Sequence, residues 1–495
     1  MPINIFHPDQ ILRIEKQTMV EQNISAEVLM ERAGQVFTDW FIQKYQNKEI
    51  HIFCGQGNNG GDGLVIGRFL SLYFYKVNIW IVPWESNTSP EFIVNLNKLN
   101  TRQGIQIFQN FEFDSISKIP AEAIIIDAIL GTGTNRSVVG VMAQIIDKIN
   151  ALPNLKVSVD IPSGLSASEI TEGAAIKADW TLSFEFPKLA FLFPENQDYV
   201  KNWEVESIGL SKNAELLETP AFRVTDQKDL SKIYHPRTRF SYKHQNGHAL
   251  IVAGSSNMCG AGILAATACL RSGAGLVRLA TLESCKASLF AQQAEIMFCP
   301  TELIFQDQRK HYQAICMGPG LDEEVVEYFL NHPIPDIPLL IDAEGIRFLA
   351  QNPRFFAKLP SQCVFTPHLG ELSLLLGLKD DSYSMLQAAI DWCKETGKHM
   401  VLKGAYTACI APNGEVWFNH TGNPGLATAG SGDVLSGIIT GLLAQSYSMM
   451  DAMRLGVWLH GKAADLALEL QSHESLCASD VSAYLGRSYK VLLEV

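Results

Sequence analysis

Four short stretches of this chain gather residue types that do chemistry. The first, Gly55-Gln-Gly-Asn-Asn-Gly-Gly-Asp-Gly63, sets two amides and a carboxylate among glycines. Glycines leave the backbone open to close approach, and Asn58, Asn59 and Asp62 offer donors and acceptors to a polar guest. The loop satisfies G-x-G-x-x-G, the spacing that seats a dinucleotide pyrophosphate on a helix N-terminus. The acidic ribose ligand due about 20 residues later is matched only by the late Glu85, which disfavours a standard hydride-transfer domain. No Lys-Ser/Thr closes the loop, so a Walker phosphate loop is excluded. Asp127-Ala-Ile-Leu-Gly-Thr-Gly133 and Val159-Asp-Ile-Pro-Ser-Gly164 place carboxylates at the ends of two further apolar runs. Taken singly, each aspartate is more often a helix cap or turn residue; their recurrence at three strand ends argues for a shared crevice. The fourth stretch, Gly430-Ser-Gly-Asp433, precedes an apolar helical pattern. Its amides stand at the positive end of that helix, where they bind an oxyanion, and Asp433 in the first turn is a candidate base.

These groups need strands and helices to bring them together. In the first half, apolar runs at 50–54, 77–82, 123–126 and 156–159 end at Gly, Pro, Asp or Asn and alternate with helical patterns at 64–75 and 141–149. That alternation predicts a parallel, doubly wound sheet, preceded by one amphipathic helix over 9–40. A polar stretch from Ser211 to Pro220 separates a second α/β pattern, so the domains are expected at 1–218 and 219–495. The second half predicts strands at 248–253, 314–317, 338–341, 363–366, 399–402 and 407–410, a helix at 262–271 and a long helical region after Gly432. In that region Val434, Leu435, Ile438, Ile439, Leu442 and Leu443 form the buried face, while Gly437 and Gly441 permit close packing.

At 495 residues, 47% hydrophobic and 18% charged, the chain is long and apolar enough for more than one buried core. A net charge of −13 gives no attraction to nucleic acid or anionic membranes. No apolar run reaches membrane-spanning length and no leader pattern opens the chain, so a cytoplasmic protein is expected. The ten cysteines include no CxxC pair and read as reduced, mostly buried thiols without a zinc site.

Together, Asn58-Asn-Gly-Gly-Asp-Gly63, Asp127 to Gly133 and Val159 to Gly164 resemble the NAD(P)H-hydrate epimerase family over roughly residues 9–215. The resemblance implies a Rossmann-like domain that interconverts the R and S epimers of a hydrated nicotinamide cofactor. It implies a K+ ion held by Asn59, Asp127 and Ser163. It also implies substrate contacts from Asn58, Asn59, Gly60, Gly61, Asp62, Gly131, Thr132, Gly133, Thr134, Asn135, Arg136, Ser137 and Asp160. Epimerising a carbon that bears a hydroxyl beside nitrogen requires reversible loss of that hydroxyl and a carboxylate to move the proton, the role given to Asp160. Lys188 reads as a solvated surface lysine rather than a helper of that carboxylate.

The Gly430 to Asp433 turn is similar to the anion hole and catalytic aspartate of ribokinase-like small-molecule kinases, with Ser431 where those usually carry Ala. Joined with Lys403-Gly-Ala-Tyr-Thr407, Thr366-Pro-His-Leu-Gly-Glu371, Gly318-Pro-Gly-Leu321 and Gly260-Ala261, it resembles the NAD(P)H-hydrate dehydratase family over about 222–491. The resemblance implies a nucleotide held by Lys403, Gly404, Ala405, Tyr406, Thr407, Asn423, Pro424, Gly425, Thr428, Ala429, Gly430 and Ser431. Ala261, Gly320, His368 and Asp433 would contact the hydrated cofactor, with Asp433 promoting loss of water. By itself His368 reads as a turn or surface residue; Gly370-Glu371 beside it favours the substrate role.

The fused form of the family implies hydrated NADH or NADPH as substrate, ADP rather than ATP as co-substrate, and a homo-oligomer, a tetramer or larger, with Mg2+ as a further candidate ion of the dehydratase domain. The alternative is a ribokinase-like kinase for a small alcohol, carrying a ligand-binding first domain.

Overall fold

The computed structural model describes residues 3–83, 88–99, 104–109, 113–133, 137–304 and 312–494. Glu85, Thr134, Asn135 and Arg136 lie outside them. The chain divides into two compact units, Asn4–Ala221 and Phe222–Val495, the latter joined by Met1–Ile3. Among the described residues no helix is long and apolar enough to cross a membrane.

The N-terminal unit is built on a seven-stranded sheet in the order Ile105–Phe108, Lys76–Ile81, Glu49–Cys54, Ile124–Ala128, Lys156–Val159, Trp180–Phe184, Trp203–Glu206. Every neighbouring pair is parallel. Side chains alternate between two cores: Ile50, Ile52 and Ile126 pack with Phe37 and Phe41 on one face, Phe53 and Ile125 with Ile146 and Ile149 on the other. The strand order reverses between Glu49–Cys54 and Ile124–Ala128, which opens a crevice at their carboxyl ends.

Two helical expectations change. The single helix expected over 9–40 is two, Pro8–Gln22 and Ala26–Lys44. Asn23 stops the first in the left-handed conformation, φ 51°, with its N–H returned to the Met19 and Val20 carbonyls. Ser25 then caps the second by accepting from the Val28 amide. The helix expected from residue 64 begins at Asn58, so Asn58 to Asp62 belong to its first turns. Its glycines hide the apolar periodicity because the helix lies against backbone: a Cβ on Gly60 would meet the Gly55 carbonyl oxygen at 1.7 Å.

The C-terminal sheet runs Phe222–Val224, Val416–Phe418, Ala408–Ile410, His399–Leu402, Cys363–Phe365, Leu339–Ile341, Ala314–Met317, His248–Val252, Leu276–Thr281, Met297–Pro300. It is parallel except at Ala408–Ile410, which is antiparallel to both neighbours. One face is covered by Cys259–Arg271 and by three helices, Ser431–Ala444, Met449–Ala467 and Ala478–Leu493, that make up the terminal helical region. Ser431–Ala444 lies directly on Cys259–Arg271: a Cβ on Gly437 would stand 2.1 Å from the Ala265 carbonyl oxygen, one on Gly441 2.0 Å from Ser272 Oγ.

The reading of all ten cysteines as thiols is corrected. Cys259 and Cys285 form a disulfide with a Cα separation of 5.6 Å. The start of Cys259–Arg271 and the turn Glu283–Cys285 meet only through folding, which no spacing rule detects. The remaining cysteines are free, and of these all but Cys477 are buried.

Candidate active sites

The crevice of the N-terminal unit is a cleft of about 1000 Å³. Asn58, Asn59 and Asp62 enter it from one strand end, Gly131, Thr132 and Gly133 from the next, and Asp160 with Lys188 from a third. The three motifs therefore meet. Gly60, Gly61 and Ser137 do not line it; Gly60 and Gly61 serve packing, against Gly55 and Met30.

Asp160 follows the strand Lys156–Val159 in the left-handed conformation, φ 65°, which costs a non-glycine residue about 1 kcal/mol. Its Oδ1 accepts from Lys188 Nζ at 2.6 Å, the Phe184 amide at 3.0 Å and Ser183 Oγ at 3.4 Å. Lys188 is not a surface lysine. It is 2% exposed, drawn inward by the buried turn Leu189–Leu192, and its ammonium also donates to Ser183 Oγ and the Phe186 carbonyl. With all three donors engaged, the buried charge is stabilised by Asp160.

Beneath the cleft Asp127 is fully buried. It accepts from Ser163 Oγ at 2.5 Å, from the Ser163 amide and Ser158 Oγ at 2.8 Å, and from the Ile129 amide at 3.3 Å. Burial raises its pKa while these hydrogen bonds oppose the rise. Ser163 Oγ also accepts from the Leu130 amide, and Asn59 Nδ2 donates to the Leu130 carbonyl, so Asn59, Asp127 and Ser163 converge on Leu130. Asp127, Ser163 and the Leu130 carbonyl bring oxygens together here, donors of the kind a hard cation takes, while Asn59 turns its Nδ2 to Leu130.

Motif reading passed over Glu15. Ile11, Leu12, Glu15 and Met19 line the cleft at helical spacing, an acid on an apolar face, which was the available signal. Burial, then the Asp160 charge, raises Glu15 to about 7, with Lys188 drawing the other way. Burial, Asp160 and Glu15 push Asp62 well above the usual carboxylate range.

In the C-terminal unit Gly430, φ 85°, caps Ser431–Ala444 through its backbone alone, leaving the first turn open. Asp433 in that turn is pushed up to about 7 by burial and by Asp342, Glu344 and Glu371, against Lys403. Asp342, 1% exposed at the end of Leu339–Ile341, was not singled out in the sequence. Its carboxylate accepts from Lys403 Nζ at 2.9 Å and Ser436 Oγ at 2.7 Å. Burial works to lower Lys403, but Asp342 and Glu371 outweigh it and hold the ammonium above its usual range. The residue after Asp342, Ala343, takes φ 46° and ψ −118°, backbone strain placed next to the charged cluster.

Ala261, Gly320 and His368 lie on elements that adjoin this cluster, while Thr407 and Asn423 are held in turns of their own. A Cβ on Gly432 would lie 3.4 Å from Lys403 Nζ, and one on Gly320 2.9 Å from Ala261 Cβ, which joins those elements. The Gly320 amide donates to Glu344 at 3.0 Å. His368 caps the helix Leu369–Leu376: Nδ1 accepts from the Gly370 and Glu371 amides, and Nε2 lies 3.6 Å from Glu371. Its side chain is 53% exposed, so the ring edge bearing Nε2 remains for a ligand. Thr407 closes the turn after Lys403 by donating to the Gly404 carbonyl, and Asn423 is braced by Asp465 and the Gly425 amide. His460 is buried, lowered to about 4 by burial, and lies 3.0 Å from the Ser431 carbonyl, fixing the start of the Asp433 helix.

Known proteins resemble the chain in both parts. Residues 26–190 match the family model described as YjeF-related protein N-terminus, and 249–487 that described as NAD(P)H-hydrate dehydratase. The bifunctional NAD(P)H-hydrate repair enzyme of Moorella thermoacetica is 32% identical over 96% of this chain and 94% of its own. That of Vibrio cholerae is 32% identical over 98% of each. A solved ribokinase-like superfamily protein from Enterococcus faecalis, 28% identical, aligns with 55% of this chain and 97% of its own at a TM-score of 0.50. With 32% identity sustained along nearly the whole of both chains, the protein belongs to the family of bifunctional NAD(P)H-hydrate repair enzymes.

Proposed function

We infer that the protein is a two-activity repair enzyme. The unit Asn4–Ala221 is the isomerase, interconverting the R and S epimers of hydrated NADH or NADPH. The unit Phe222–Val495 is the lyase, returning the S form to NADH or NADPH at the expense of ADP. What carries this reading is a carboxylate set beside a lysine at strand carboxyl ends in each unit, Asp160 with Lys188 and Asp433 near Lys403.

In the first site Asp160, bonded to Lys188, moves the proton as the hydroxyl leaves and returns. Asn58, Asn59, Asp62, Gly131, Thr132 and Gly133 would bind the substrate, and by the family resemblance so would Thr134, Asn135 and Arg136. K+ would be held by Asn59, Asp127 and Ser163, supplying positive charge under the glycine loop.

In the second site Lys403 to Thr407 and Asn423 to Ser431 would hold ADP, and Ala261, Gly320 and His368 the hydrated ring. Asp433 takes the hydroxyl proton as the oxygen attacks the terminal phosphoryl group of ADP and the P–O bond to the departing AMP breaks, while the Gly430, Ser431 and Gly432 amides hold the transferring group. Phosphate then leaves with the ring C–H proton, and the C=C bond of the reduced nicotinamide forms. Mg2+ would enter on the nucleotide's phosphate oxygens, because Asp342 is committed to Lys403 and Ser436.

The enzyme would act in the cytoplasm as a homo-oligomer of four or more copies. Val20 and Val28, 75% and 41% exposed on the two opening helices, offer apolar contact area for such an assembly. The test is the rise in reduced-nicotinamide absorbance when the protein meets hydrated NADH with ADP or ATP. No rise, together with phosphorylation of a small alcohol, would favour the kinase reading instead.

A further inference from the structure

Glu15 projects into the N-terminal cleft from an apolar face, with Ile11, Leu12 and Met19 beside it. The same cleft receives Asp62 and Asp160, so three carboxyl groups share one buried ammonium, that of Lys188. Lys188 directs its 2.6 Å bond to Asp160 and its other two donors to Ser183 and Phe186. Its hydrogen bonds therefore reach Asp160 and none of the other acids, while its charge also draws Glu15 downward. Burial and the Asp160 charge raise both Glu15 and Asp62, so each takes up a proton more readily than a free carboxyl does. The remaining charged groups lining the cleft, Lys16, Glu91 and Asp9 with its Arg13 partner, do not set this balance. Asp62 is raised well above the usual carboxylate range, and Glu15, at about 7, exchanges its proton under ordinary conditions.

A single carboxylate that releases a hydroxyl and returns water from the same side regenerates the epimer it started from. Inversion needs a second group on the opposite face. We propose that Glu15 is that group, the proton-transfer partner of Asp160 across the hydroxyl-bearing carbon of the hydrated nicotinamide. This rests on the epimerase reading of the cleft. In one direction Glu15 protonates the hydroxyl, the C–O bond breaks, and water departs as the ring nitrogen lone pair forms a C=N bond. Water then adds on the other face, its oxygen bonding to carbon while the C=N electrons return to nitrogen and its proton passes to Asp160. One water leaves and one enters, and the proton lost by Glu15 is gained by Asp160. The other epimer runs the same steps backward, so the pair must hold one proton between them, and loses it above about pH 7.

The test follows interconversion of each pure epimer by chromatography, without ADP, for the full chain and its Glu15→Gln, Glu15→Asp and Asp160→Asn variants. Glu15→Gln is expected to bind the hydrated cofactor in a titration yet to interconvert the epimers about 100-fold more slowly, without the wild-type fall in rate above pH 7. Glu15→Asp should keep measurable turnover and that fall. A wild-type rate in Glu15→Gln, an unchanged alkaline fall, or loss of cofactor binding would each overturn the proposal. Loss of activity in Asp160→Asn with Glu15→Gln intact would remove Glu15 and leave the epimerase reading standing. Failure of the unmodified protein to interconvert the epimers would remove both.

Discussion

At the scale of single residues, Asp160 and Asp433 are one functional group in two different surroundings. Asp160 accepts hydrogen bonds from an ammonium and a backbone amide. Asp433 stands near acidic neighbours with burial against it, which brings its pKa up to about 7. As a base it must be ionised, so dehydration is expected to weaken as pH falls through about 7, visible in the pH profile of absorbance gain. Asp433→Asn should bind ADP but lose dehydration by at least about 100-fold, read in the same assay. The linkage to stability runs oppositely. A carboxyl whose folded pKa is raised contributes stability below its unfolded pKa of about 4 that is lost as pH rises through about 7. Asp433→Asn is therefore expected to raise the melting temperature at pH 8 more than at pH 4, a trade between activity and stability. Lys188→Met leaves Asp160 without its buried partner and should cost about 3 kcal/mol, seen in denaturant unfolding alongside loss of epimer interconversion.

At the scale of elements, glycine decides where helices can lie. Gly437 and Gly441 let Ser431–Ala444 rest on the backbone of Cys259–Arg271, and so carry Asp433 to the strand ends. Gly437→Ala would drive a methyl to 2.1 Å of the Ala265 carbonyl, an obstacle that no flexible side chain relieves. It should destabilise the C-terminal unit by about 3 kcal/mol. Gly486→Ala, with open space at its Cβ in the exposed part of Ala478–Leu493, should instead stabilise by about 0.5–1 kcal/mol. Thermal unfolding of the two variants reads the contrast. Asn23 acts in the same way at the other end of the chain: by ending Pro8–Gln22 it sets the apolar face with Glu15 along the cleft.

At the scale of the whole molecule, two activities in one chain make repair complete. Damage yields both epimers, and a dehydratase acting on the S form alone stalls when that form is exhausted. From an equal mixture of epimers, the full chain with ADP should return all of the reduced cofactor. Asp160→Asn should stop near half, the plateau of the absorbance trace giving the fraction.

Much of this was legible in the amino acids alone. Apolar period and glycine turns follow from local sterics, so Lys156–Val159, Ala314–Met317 and His399–Leu402 were drawn to the residue, and the motif residues at the strand ends were named. Short strands escaped: Trp203–Glu206 is half-buried and acidic, and the apolar run at Met297–Pro300 is short and stops at proline. The sequence by itself determined two α/β units and the chemistry-bearing turns. Only the tertiary structure decided that Lys188 is buried, that Glu15 faces Asp160's cleft, that Asp342 holds Lys403, and that Cys259 meets Cys285. The physical reason is that burial and charge compensation belong to pairs of segments far apart in the chain. A residue type and its neighbours in sequence cannot report which ammonium, carboxyl or thiol folding will set against it.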